Sequence, residues 1–114
     1  MSKHQLGEFE EIVMLTIGVL NDKAYGLAIK KEIEERLNRS VSMGALHTAL
    51  YRLEAKGFLT SELGEATKMR GGKPKRFFKV TVHGQKNLQQ AMDDRQQLWK
   101  DIPAGVFELN PSSK

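Results

Sequence analysis

From Leu6 to Leu20 the chain reads LGEFEEIVMLTIGVL, with apolar residues at Phe9, Ile12, Val13, Ile17 and Leu20. The spacing is helical, and the second half is apolar on nearly all sides, which predicts a helix buried on more than one face. The polar stretch NDK at 21–23 interrupts the run. YGLAIKKEIEERLNRS then places Tyr25, Ile29, Ile33 and Leu37 on one face, with Lys30, Lys31, Glu34 and Glu35 elsewhere, predicting a second amphipathic helix. In MGALHTALYRLEAKG, Met43, Leu46, Leu50 and Leu53 form an inward stripe for a third. Ser42 stands where its hydroxyl can accept a hydrogen bond from a first-turn amide. Gly57 stands where a left-handed residue commonly ends a helix.

After Gly57 the period shortens. FLTSEL at 58–63 and RFFKVTV at 76–82 read as strands, with Phe78, Val80 and Val82 alternating with Phe77, Lys79 and Thr81. Gly64, Gly71, Gly72 and Pro74 break the connection between them, so the pair is predicted to be a β-hairpin with a long tip. Residues 83–101 are helical in composition, about 28 Å long at about 1.5 Å per residue. Their apolar stripe is sparse: Leu88, Met92, Trp99 and Ile102, with Ala91 and Leu98 alongside. A long polar helix with a thin, tryptophan-bearing stripe is better explained by packing on another chain than by a monomer core. The tail PAGVFELNPSSK reads as irregular, with Val106, Phe107 and Leu109 as a small apolar patch.

Composition narrows the function classes. A chain of 114 residues, 39% hydrophobic and 28% charged, is expected to fold as one compact unit. The absence of cysteine removes disulfides, thiol nucleophiles and thiolate metal sites. No stretch reaches the roughly 18 consecutive apolar residues of a membrane span. The N-terminus MSKHQLGEFEE does not resemble a signal peptide, so a soluble, cytoplasmic protein without membrane partners is expected. His4, His47 and His83 lie in unrelated segments with no acidic partner at relay or metal-ligand spacing. No catalytic residue, metal ligand set or cofactor is therefore expected.

The net charge of +4 matters less than its placement. Residues 8–11 are EFEE and three aspartates fall within 92–101, whereas Lys68 to Lys79 holds six cations and no acid. On the third helix His47, Thr48, Tyr51 and Arg52 lie three and four residues apart and share an outward surface. Two helices joined by a short link, the second with a polar outer face, form a helix-turn-helix, and the second enters the DNA major groove. A cationic hairpin tip beside it suits neighbouring phosphates. In this reading Lys68, Arg70, Lys73, Lys75 and Arg76 give sequence-independent affinity by displacing counterions. Ser42, His47, Thr48, Tyr51 and Arg52 give orientation and contacts to base edges. The predicted fold is mostly α with a small β-hairpin: a winged helix-turn-helix over residues 1–82, a dimerisation helix over 83–102 and an irregular tail over 103–114. The alternative is a winged-helix module whose basic wing meets an acidic protein surface.

Three stretches carry a resemblance. AYGLAIKKEIEERL, SMGALHTALYRLEAKGFLTSE and GGKPKRFFKVTVHG are similar, respectively, to the second helix, the recognition helix with the first wing strand, and the second wing strand of PadR-type winged-helix transcriptional regulators. The resemblance spans roughly Leu6 to Trp99. It implies a homodimer whose C-terminal helices pack across a two-fold axis with the partner's N-terminal region, binding palindromic operators mostly as a repressor. The family usually has tyrosine then proline where this chain has His47 and Thr48, so its base preference does not carry over. The single C-terminal helix resembles the smaller branch of the family. In some relatives a tryptophan of the last helix lines a drug-binding pore at the dimer centre. Trp99 is similar in kind, with Phe9, Leu88, Met92 and Leu98 as candidates for the same dimer or effector cluster, and a small apolar or aromatic molecule as the implied effector.

Overall fold

The computed structural model describes residues 6–64 and 74–107. Three helices, α1 (Glu8–Leu20), α2 (Gly26–Leu37) and α3 (Met43–Ala55), precede an antiparallel hairpin of β1 (Leu59–Leu63) and β2 (Arg76–Val80) and a long helix α4 (Val82–Lys100). A short 3-10 turn at Asn21–Lys23 joins α1 to α2. This is the order predicted from the sequence. The core is built where the helical and two-residue periods meet. Val13, Met14 and Ile17 of α1 pack with Ile29 and Ile33 of α2 and Leu46, Ala49, Leu50 and Leu53 of α3, and Phe58, Leu59 and Phe78 close it from the sheet side.

The hairpin register pairs Leu59 with Val80 and Leu63 with Arg76. Tyr25 forms a further antiparallel bridge to Phe77, and Phe78 N–H donates to Ala24 C=O at 2.9 Å. The sheet edge is thus tied to the start of α2.

Local signals hold at both ends of α3. Ser42 Oγ accepts from Ala45 N–H at 3.0 Å, and Gly57 has φ +81°, the left-handed conformation that favours glycine. Two expectations need correction. Leu37 is not inward: it is 47% exposed, because α2 ends there and Asn38 turns left-handed at φ 53°. The second strand stops at Val80, since Thr81 Oγ1 caps α4 by accepting from Gly84 N–H at 2.9 Å; Val82 is the first residue of that helix and is exposed. In α1, the buried Glu11, Val13, Met14, Thr16 and Ile17 spread around more than half of the helix, as expected, while Leu15 and Val19 leave an exposed apolar stripe on the remainder.

The joint between hairpin and α4 is close. Thr81 N–H donates to Phe58 C=O at 3.0 Å and Thr81 Oγ1 donates to Gly57 C=O at 2.7 Å. A Cβ at Gly84 would lie 2.3 Å from the Phe58 carbonyl oxygen, so only glycine lets the helix cross the backbone there. Further along, Leu88 packs against the core edge, and Arg95 pairs with Glu11 of α1. Among the described residues, no helix is long and apolar enough to cross a membrane.

Candidate nucleic-acid interface

Helix α3 turns Leu46, Ala49, Leu50 and Leu53 inward and leaves the rest of its circumference to solvent. His47, Thr48, Tyr51 and Arg52 are all exposed, Tyr51 most clearly at 76%. Together they span a broad arc of the helix. At about 100° per residue, His47 and Arg52 are about 140° apart around the axis. Thr48 and Arg52 turn toward the start of α1 and line an open cleft with Gly7, Phe9 and Ala45. His47 turns toward α2, where a Cβ at Gly26 would lie 3.9 Å from its Nε2. Tyr51 stands between these flanks with Gly44, beside which a Cβ would meet open space.

The turn that sets α3 against α2 is held by Glu34, a residue off the apolar face of α2. Glu34 accepts Val41 N–H at 2.9 Å and Lys30 Nζ at 3.1 Å. These contacts, the Val41 amide first and Lys30 second, hold its carboxyl below the ordinary carboxylate range. Val41 is buried beneath the turn. The Lys30–Glu34 spacing is visible in the sequence, but the amide seven residues on is not.

The loop end of the hairpin adds two cations with defined partners. Lys75 Nζ lies 4.4 Å from the centroid of the Tyr25 ring, which meets Phe77 edge-on at 5.6 Å. Arg76 Nη1 donates to Ser61 Oγ at 3.0 Å, and Ser61 Oγ donates to Glu54 Oε2 of α3 at 2.9 Å. The relay fastens the wing to the C-terminal half of α3. Tyr25, Ser61 and Glu54 thus hold the two candidate cations in place. The sequence pattern placed Tyr25 only on the apolar face of α2. Lys68, Arg70 and Lys73 lie outside the described residues.

The other candidate cluster is spread along the molecule. Phe9 borders the core beneath the Arg39 guanidinium, 5.6 Å from its ring centroid. Leu88 and Met92 are half-buried, whereas Leu98 and Trp99 are 72% and 65% exposed. Trp99 meets Phe107 at 6.1 Å, although Phe107 stays exposed; Leu109 of the expected apolar patch lies outside the described residues. Arg95 is held more firmly protonated by its hydrogen bond to, and the charge of, Glu11, with Glu8 adding to the effect. Among the described residues, no group of three or more histidines and acids could hold a metal ion.

The arrangement exposes a polar helix face between two cations at the start of β2 and an open cleft, a form suited to contact with a polyanion in a groove. Among curated proteins no sequence matches this chain. Solved structures do. A PadR-like transcription factor from Bacteroides fragilis is 27% identical, with a TM-score of 0.68 over 81% of this chain and 84% of that one. A transcriptional regulator from Clostridium thermocellum is 25% identical, with a TM-score of 0.66 over 85% and 91%. A PadR family regulator from Eggerthella lenta is also 25% identical, with a TM-score of 0.65 over 82% and 80%. The sequence profile of the transcriptional regulator PadR-like family matches residues 16–90, from the middle of α1 into α4. The chain belongs to the PadR-like family of transcriptional regulators.

Proposed function

We propose that this regulator is a cytoplasmic repressor that binds a palindromic operator as a homodimer, with a small apolar or aromatic molecule as the effector that releases it. The observation that carries the reading is the outward face of α3. Tyr51, 76% exposed and flanked by His47 and Thr48, has hydrogen-bonding groups directed at solvent from the helix that a helix-turn-helix inserts into the major groove. Lys75 and Arg76 at the loop end of the wing, and Lys68, Arg70 and Lys73 between the strands in sequence, supply phosphate contacts. Dimerisation draws support from the exposed Leu98 and Trp99 on α4 and from the uncovered Leu15 and Val19 of α1. In such a dimer two α3 helices are held about 34 Å apart, one turn of DNA, and an effector that spreads them lowers operator affinity.

Fluorescence anisotropy across a salt series tests this, using the duplex upstream of the protein's own gene and a scrambled duplex of equal length. Tighter binding to the native duplex, with a steep salt dependence on both, is expected. Weak and equal binding to both, set beside capture of an acidic protein by the wing, would replace the reading with that of a protein-interaction module.

A further inference from the structure

Helix α4 packs on the domain mainly through its first turns. Its first turn is fixed by the Thr81 bonds and by Gly84 against Phe58, and Leu88 makes its apolar contact with the core. From Leu88 the helix runs about 16 Å further to Trp99, at about 1.5 Å per residue. A tilt of about 10° at Leu88 displaces Trp99 by about 3 Å over that length. The half-buried Leu88 and Met92 do little to prevent such a tilt, because apolar contact is non-directional and tolerates sliding.

One interaction beyond them is directional. Among the described residues, Arg95 is the one side chain of the outer half of α4 that is ion-paired with the body of the domain, and its partner is Glu11. The two ends differ in exposure: the Glu11 side chain is 5% exposed and that of Arg95 57%. A carboxylate so far removed from water is costly without a cation in place, and its preference for one partner geometry is correspondingly strong. The pair therefore favours the α4 direction that brings Arg95 over Glu11 and disfavours others.

We infer that Glu11 and Arg95 are positioning residues that align α4 on the DNA-binding unit and so set the half-site spacing that the dimer accepts, an inference that rests on the dimeric DNA-binding reading above. Neither residue needs to touch DNA. The half-site sequence is read by α3, whereas the distance between half-sites is set by the angle at which each α4 leaves its domain.

Two measurements test the clamp. The chain contains no cysteine, so spin labels can be placed at Lys31→Cys on α2 and Lys100→Cys at the end of α4. Labelled protein is mixed with excess unlabelled protein, and double electron–electron resonance then reports the distance within one chain. A single narrow distance is expected for the parent, broadened by about 3 Å or more in Glu11→Gln and Arg95→Gln and kept narrow in Arg95→Lys. Unchanged widths in both glutamine variants would overturn the clamp, with circular dichroism confirming that each is folded. The second measurement is selection from a pool of random duplexes. The glutamine variants are expected to recover the same half-site as the parent at a wider spread of spacings. An identical single spacing in all three would overturn the link to DNA. Failure of the parent itself to enrich any sequence would reject the DNA-binding reading, while the distance measurement still decides whether the clamp exists.

Discussion

Gly84 shows how one residue type can be required by a contact far away in sequence. A side chain there meets the Phe58 carbonyl oxygen at 2.3 Å, and neither backbone can yield without moving α4 or the start of β1. Gly84→Ala should therefore destabilise the fold by about 1–3 kcal/mol, as overpacking usually does, measurable by urea unfolding. Glu34 makes a prediction about pH. Its carboxyl is held below the ordinary range by the Val41 amide and Lys30, so its contribution is fully present above the ordinary carboxylate range. That contribution is lost as pH falls through the lower folded value. Thermal unfolding of the parent and of Glu34→Gln should differ near neutrality and converge in acid, and a constant difference down to low pH would remove the ionised carboxylate as the cause. On α3, His47→Ala or Tyr51→Ala should cost about 1–3 kcal/mol on the specific duplex and less on a scrambled one. Equal losses on both would reassign these side chains to phosphate contact.

At the scale of elements, the wing and recognition helix form one unit because Arg76, Ser61 and Glu54 connect them. Arg76→Ala should weaken binding to every duplex and lower the salt slope by about 1, the signature of a lost phosphate contact. Ser61→Ala should weaken binding by less and leave the slope unchanged, because it removes the guide and keeps the charge; the same anisotropy series reads both. The elements themselves were legible in the sequence because their causes are local. Helical periods gave α1 to α4, Ser42 and Gly57 marked the ends of α3, and alternation about Phe78 gave β2. The joints were not legible. Glu34 with Val41, Lys75 with Tyr25, Arg76 with Ser61 and Glu11 with Arg95 each join segments whose meeting depends on the folded chain. Periodicity misjudged Leu37 and Val82 because neither period says where an element stops, and both residues lie where a turn or a cap has taken over.

For the whole molecule, the exposed end of α4 is the feature a single chain leaves unexplained. If the protein is dimeric as proposed, Trp99→Ala is expected to weaken that dimer, seen in sedimentation as a shift toward monomer at low micromolar concentration; a fully dimeric variant would assign the interface to other residues. The same architecture bears on how such a protein can be recombined. The C-terminal end of α3, the start of β1 and the first turn of α4 converge on Gly57 and Phe58, where Thr81 bonds both carbonyls and Gly84 fits against the chain. A chimera that grafts a foreign C-terminal helix after residue 82 would cut through this knot. It would keep a correctly set recognition helix only if the donor brings glycine as the third residue of its helix, so the transferable module begins before Thr81.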